Sequence, residues 1–348
     1  MRVLYGVQAT GNGHITRARV MAPALVAAGV EVDYLFSGRP ADQFFDMECF
    51  GHFETRKGLT FKLADGGRVN LLDTLVSNDI WQFRRDTRAL DLTDYDLVIT
   101  DFEPISAWAA KQQGVRSIGL AHQYAFLNPL PDGGYSKLLK PGIKLFAPVD
   151  LAVGVHWDAF GGNNIPPLIA EPSFEPSDNE RDILVYLPFE QKATLERLFA
   201  FFPTHRFHVF CRCDAVQPCA NVTYHPLSRQ SFEQHMAHSG GVISNCGFGL
   251  ASEALQYGKK LLSLPMSGQW EQQSNAKILS ELGLATVVSS WDIDTLGVWL
   301  AQPSSAPMAF NQSAGVVAQW IANGAKEPVV DMVDRIWPGD ALKVSGLQ

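Results

Sequence analysis

Apolar and polar positions along the chain follow two alternating periods. Short apolar runs of strand length, "RVLYGV" (2–7), "VEVDYLF" (30–36), "YDLVIT" (95–100), "RSIGLAH" (116–122) and "DLAVGV" (150–155), are separated by stretches of helical spacing at 14–28, 41–47 and 105–114. Gly114 suits the C-cap of the third helix. This β-α-β-α rhythm predicts an α/β fold with a parallel sheet covered by helices. From 157 to 181 the periodicity stops, and "FGGNNIPP" and "EPSFEPSDNERD" read as an interdomain linker. A second alternation follows, with strands at 182–189, 206–211, 221–226, 240–245 and 259–265, and helices at 193–201, 230–238 and up to 257. The organisation expected is two Rossmann-like domains facing across a cleft: an N-terminal domain at 1–160, a linker at 161–180, a second domain at 181–325, and a closing helix and tail at 326–348. In such a pair the carboxyl ends of both sheets surround one ligand site.

Composition supports two globular cores: 348 residues, 46% hydrophobic and 18% charged. The net charge is -8 and Lys and Arg are scattered, which excludes the footprint of a nucleic-acid binder. The chain enters a strand at once and contains no apolar run of the ~18 residues needed to cross a bilayer, so a cytoplasmic location is expected. The five cysteines are an odd number and read as thiols, and "CRCDAVQPC" (211–219) lacks the paired C-x-x-C of structural zinc sites, so no metal is expected.

"GNGHITRA" (11–18) admits three readings. A dinucleotide fingerprint would need glycine where Thr16 stands. A tight turn would use its glycines for positive φ but would leave His14 unexplained. In the third reading His14 sits in the first helical turn at the carboxyl edge of the first strand and acts as a proton acceptor. Asp101, directly after the strand in "DLVITDFEP", would reach the same edge and orient the imidazole; its alternative is to cap the helix that follows.

The segment 244–283, "SNCGFGLASEALQYGKKLLSLPMSGQWEQQSNAKILSELG", carries a strand end at Asn245, a turn opened by Gly247 and Gly249, and a helix whose first amides and positive dipole end would attract a diphosphate. Glu253, further along that helix, can accept both hydroxyls of a ribose diol or stand solvated. Glu271 and Gln272 open another helix, with the same choice between sugar hydroxyls and bulk water.

At these residues the chain resembles the GT-B nucleotide-sugar glycosyltransferases of the family 1 and family 28 types. More narrowly it resembles a prokaryotic group of them that shares a "GHxxR" opening and a "DFEP" strand end. The resemblance spans nearly the whole chain and is carried in its second half by the glycine turn, "EAL", Gly258, Pro265, "EQ" and "NA" in order. It implies that His14 is the general base, with Asp101 as its partner. Donor contacts would come from Gly13, Leu227, Ser228, Asn245, Cys246, Gly247, Phe248, Gly249, Glu253, Glu271 and Gln272. Asn245 replaces a phosphate-binding histidine of the plant enzymes. Arg17 replaces a frequent proline, and would either contact an anionic acceptor or donor phosphate or remain solvated.

The activity implied is inverting, metal-independent transfer from a nucleoside-diphosphate sugar, UDP-sugar first, to an acceptor hydroxyl. No cofactor is expected beyond the nucleotide sugar, which is a substrate. The acceptor could be a glycan, a lipid-linked sugar or a small molecule. Rival readings are a UDP-sugar epimerase or hydrolase, and a non-catalytic nucleotide-sugar-binding subunit. The basic, apolar segment 133–146 would either touch a membrane peripherally or form a solvated helix.

Overall fold

In a computed structural model the chain is described for residues 1–44, 46–59, 79–177, 179–310 and 313–337. The first half runs β1 (Arg2–Gln8), α1 (Asn12–Ala27), β2 (Glu31–Ser37), β3 (Phe53–Arg56), α2 (Ile80–Ala89), β4 (Leu97–Asp101), α3 (Pro104–Gln113), β5 (Ser117–Ala121), α4 (His122–Ala125), α5 (Tyr135–Phe146), β6 (Leu151–Val155) and β7 (Asn164–Ile165). The second runs β8 (Asn179–Tyr186), α6 (Lys192–Phe199), β9 (Arg206–Cys211), β10 (Gln217–Cys219), β11 (Val222–Pro226), α7 (Arg229–His238), β12 (Ser239–Ser244), α8 (Phe248–Gln256), β13 (Lys260–Ser263), α9 (Trp270–Glu281), β14 (Thr286–Val287) and α10 (Ile293–Leu300). Two closing helices follow, α11 (Ser313–Ala322) and α12 (Val329–Ile336).

The two sheets repeat one topology. The first is ordered β3-β2-β1-β4-β5-β6-β7 and the second β10-β11-β9-β8-β12-β13-β14, with every pairing parallel except the β10 edge. Strand order therefore reverses between β1 and β4 in one sheet and between β8 and β12 in the other. Those reversals open the crevices where doubly wound sheets take ligands. Both sheets are covered on two faces, so their central strands are apolar without alternation, as in β1, where Val3, Tyr5 and Val7 are buried together with Leu4.

One expectation is revised. The helix expected at 41–47 is replaced by short 3-10 turns at Ala41–Gln43 and Glu48–Phe50. The Phe44 ring is drawn onto Phe36 and Phe53, at centroid distances of 5.6 and 6.0 Å, and Asp46 takes a positive φ of 52°, both incompatible with a continuing helix. Part of the expected linker belongs to the folded core. Asn164–Ile165 joins the first sheet beside β6, and Leu168 and Ile169 are buried in the apolar core shared by both halves. The return to the first half begins before residue 326, because α11 already packs on α1. Arg116 donates to the carbonyls of Gly324 and Ala325, each at 2.7 Å, and Trp337 donates Nε1–H to Asn164 O at 2.8 Å. Residues 338–348 of the expected tail lie outside the described residues.

The turn from β4 to α3 is built by Glu103. Its buried carboxylate accepts from Ile105 N at 2.9 Å, Ser106 N at 2.7 Å and Ser37 Oγ at 2.7 Å, capping α3 and tying it to β2. Gly6 is needed beneath this cap, since a Cβ there would stand 2.0 Å from Ser106 Oγ. Glu103→Ala leaves these donors buried without an acceptor and is expected to lower folding stability by about 1–3 kcal/mol in urea denaturation, with Glu103→Gln less damaging.

Candidate active site

His14 and Asp101 meet at the reversal point of the first sheet. His14 lies in the first turn of α1, directly after β1, and Asp101 is the last residue of β4, the strand hydrogen-bonded to β1. Nδ1 of His14 is 2.6 Å from Asp101 Oδ1. Asp101 is fully buried and the His14 side chain is 14% exposed. Among the described residues no group bonds His14 Nε2, so an Nδ1–H donated to Asp101 leaves the Nε2 lone pair available.

Asp101 is free for this contact because Glu103 caps α3, which removes the capping alternative. Phe102, between them, adopts a positive φ of 55°, a strained conformation for a bulky residue that lets one carboxylate turn toward α1 and the next toward α3.

Arg17 completes the group. It lies one turn beyond His14 and is buried rather than solvated; Nε donates to Asp101 Oδ2 and a terminal nitrogen to Oδ1, both at 2.7 Å. That same nitrogen is 3.1 Å from His14 Nδ1. Since both are donors toward Oδ1, this is a shared acceptor and not a bond between them. Burial alone would raise the Asp101 carboxyl, but the Arg17 and His14 charges and hydrogen bonds prevail and hold it below its ordinary value.

The helices that open at the two reversal points, α1 and α8, have no side-chain cap, a feature they share with α4, α5, α6, α9 and α12. Neither Gly11, with φ -120°, nor Gly13 is in the left-handed region, which sets aside the positive-φ reading. A Cβ on Gly13, Gly247 or Gly249 would meet nothing within 4 Å. These glycines therefore answer neither a backbone nor a packing demand, and they leave first-turn amides open in front of each helix.

The remaining residues divide by what their side chains touch. Cys246 is fully buried and Phe248 stacks on His122 at 3.9 Å, so only their backbones can face a ligand. Asn245 donates its amide to Leu264 O at 2.9 Å. The Gln272 amide oxygen accepts from Met266 N at 2.9 Å, bracing the loop before α9. Ser228 caps α7 and Leu227 is exposed. Glu253 is half-buried on α8; burial, reinforced by Glu233, raises its carboxyl to about 7. Glu271 accepts from Gln123 of the first domain at 3.3 Å, and its charge acts on both Arg17 and His122.

Residues whose pairing the sequence did not reveal close the seam between the domains. His122 puts Nδ1 2.9 Å from Val155 O and Nε2 3.0 Å from Asn275 Oδ1 of α9, and burial lowers its pKa. Ser274 donates to Asp132 at 2.9 Å, and Trp157 Nε1–H to Ser252 Oγ at 2.9 Å. Their signal in the sequence was weak, since the partners lie far apart in the chain and only the meeting of the two domains pairs them. A recess of about 310 Å³ is lined by Thr10, Asn12, Arg39 and Gln43 from one domain and by Arg212 from the other.

The sequence matches the model of glycosyl transferase family 1 over residues 1–129 and 165–302. The chain belongs to this family. No curated protein matches it. Similar solved structures include the glycotransferase of kitacinnamycin, at 16% identity over 96% of this chain and 98% of that one with a TM-score of 0.60. LpCGTa, in complex with UDP, is 16% identical over 96% and 99% with a TM-score of 0.58. VinC, in complex with dTDP, is 14% identical over 96% and 100% with a TM-score of 0.55. The fold is GT-B, and the protein is a glycosyltransferase. No helix among the described residues of this glycosyltransferase is long and apolar enough to cross a membrane.

Because Asp101 and Arg17 neutralise each other in a buried setting, removing one partner leaves an uncompensated charge. Arg17→Met is expected to lose about 3–5 kcal/mol, and Arg17→Met/Asp101→Asn clearly less than the sum of the two single losses, in a urea-denaturation double-mutant cycle. The depressed carboxyl contributes stability that is complete above the ordinary carboxylate range and is lost as pH falls through its folded-state value; Asp101→Asn should flatten that acid limb.

Proposed function

We propose that the enzyme transfers a sugar from a nucleoside-diphosphate donor, UDP-sugar first, to an acceptor hydroxyl by a single inverting displacement without a metal. The observation that carries this reading is the His14 imidazole bonded through Nδ1 to a buried carboxylate with Nε2 left unpartnered at the mouth of the first crevice. In this reading His14 Nε2 takes the acceptor proton while the acceptor oxygen attacks the anomeric carbon. The bond from that carbon to the diphosphate oxygen breaks, and the electron pair leaves with the nucleoside diphosphate. Asp101 positions the ring, and Arg17 holds Asp101.

The leaving diphosphate is received by the open first-turn amides of α8 beyond Gly247, where the helix dipole favours negative charge. Glu253 accepts the ribose diol, Glu271 contacts the transferred sugar, and the backbone at Leu227 and Ser228 holds the base. Asn245, Cys246, Phe248 and Gln272 act through backbone groups and loop bracing, and Gly13 leaves room for the donor. The recess between Asn12 and Arg212 takes the acceptor. UDP and dTDP in complex with the similar enzymes LpCGTa and VinC support a pyrimidine nucleoside diphosphate as leaving group.

A calorimetric panel of UDP, dTDP and GDP sugars selects the donor, followed by transfer assays on an acceptor library. His14→Ala is expected to bind donor as the parent does while turnover falls by about 10²–10⁴-fold; undiminished turnover removes the base from this role. Release of free sugar from donor alone, with no transfer product, favours hydrolysis instead.

Glu253 must be ionised to accept two hydroxyls, and its carboxyl sits at about 7 in the free protein. Affinity for a UDP-sugar is therefore expected to rise by up to about 30-fold between pH 5.5 and 8, a dependence that Glu253→Gln abolishes along with most of the affinity. A flat calorimetric profile for the parent protein dismisses Glu253 as the diol acceptor.

A further inference from the structure

Three histidines outside the transfer site converge beneath the loop assigned to the base. His208 on β9 and His225 on β11 lie on the sheet face covered by α7, because the parallel register sets His225 opposite Phe210, two residues along from His208. His235 projects from α7 onto the same face, with its ring centroid 4.8 Å from His208 and 4.6 Å from His225. One nitrogen from each ring lies within 4.8 Å of the other two.

The hydrogen bonds around this cluster leave lone pairs pointing inward. His235 gives its Nδ1–H to Ser231 O at 2.7 Å, so Nε2 is the bare nitrogen. His208 turns Nε2 toward the Asp182 carboxylate at 3.5 Å, which favours the proton there and leaves Nδ1 bare. Nδ1 of His208 is 3.1 Å from His225 Nε2, and at most one proton can lie between them. An inward nitrogen on each of three rings, with a carbonyl and a carboxylate on the outer nitrogens of two, is the arrangement by which proteins orient imidazoles onto a metal.

We propose that His208 Nδ1, His225 Nε2 and His235 Nε2 bind one zinc ion, with water as the fourth ligand. Tetrahedral zinc with bonds of 2.0–2.1 Å holds its nitrogens about 3.3 Å apart, close to the observed His208–His225 separation, and needs only a modest approach of His235. Neutral imidazoles suit Zn²⁺, and the hard cations Mg²⁺ and Ca²⁺ prefer oxygen. The ion would tie β9, β11 and α7 together two residues before Leu227. The assignment does not rest on the proposed donor or acceptor.

The test uses the full chain, freed of metal by dialysis against a chelator and titrated with Zn²⁺ by calorimetry and with Co²⁺ by visible absorption. One equivalent is expected to bind, with the intense visible bands of tetrahedral cobalt. His225→Ala and His208→Ala should abolish this binding, and Asp182→Asn should weaken it by about 10–100-fold. His205→Ala, which removes a histidine outside the cluster, should leave it intact. Anomalous scattering at the zinc edge from the unsubstituted protein, expected as one peak among the three rings, covers the case in which the variants do not fold. Failure to bind Zn²⁺, or binding that survives loss of two of the three imidazoles, overturns the proposal.

Discussion

The site is organised around one carboxylate that has no access to water. Asp101 ends a central strand in the interior, where an unpaired charge carries a penalty of several kcal/mol. The chain supplies a cation that bonds both oxygens, Arg17, and a second donor, His14, from the same helical turn. Much follows from that demand. α1 must start where its first two turns face β4, the imidazole ring cannot swing freely, and the capping of α3 passes to Glu103. The left-handed Phe102 is the local strain that separates the two carboxylates, and the Gly6 gap admits the cap beneath them.

The second domain is held against this centre by contacts of two kinds. Behind the crevice the seam is apolar and continuous, with Trp157 and Phe248 buried in one core that draws on both halves. Nearer the crevice it is polar and specific, through His122 to Asn275 and Asp132 to Ser274. α11 and α12 return across the first domain and complete the closure. The arrangement brings Glu271 close enough for its charge to act on Arg17, so residues 254 positions apart in the chain share one electrostatic environment.

Much of the fold was readable in the sequence because doubly wound sheets write themselves as alternating periods, and the strands at 206–211 and 221–226 were found nearly to the residue. His14 and Asp101 were readable because each stands at a strand's carboxyl end, where the topology gathers side chains. Arg17 was not: helical spacing places it one turn from His14 but cannot tell whether it turns to solvent or to a buried anion. The helix expected at 41–47 failed because aromatic packing of Phe44 outweighed local periodicity. The histidine cluster escaped because its members sit on two strands and a helix, and only the β9–β11 register brings them together. The cysteine-rich "CRCDAVQPC" stands out more plainly in the sequence, yet Cys211 and Cys213 are partly buried and Cys219 is exposed, all as free thiols.

The pairing of Arg17 with Asp101 also shapes the energetics of the proposed transfer. In a simple histidine–carboxylate pair, a protonated imidazole finds the full negative charge of its partner. Here Arg17 already balances Asp101, so a proton arriving on His14 gives the group a net positive charge. In the proposed displacement the departing diphosphate gains negative charge on the other side of the crevice, in front of α8. The two developing charges therefore complement each other across the substrate, in a site whose walls are largely buried and where such complementarity is stronger than in water. In the proposed transfer the arginine is thus more than a structural counterion: it leaves the protonated base dependent on the leaving group for its compensation, and so couples proton removal from the acceptor to the loss of the nucleotide.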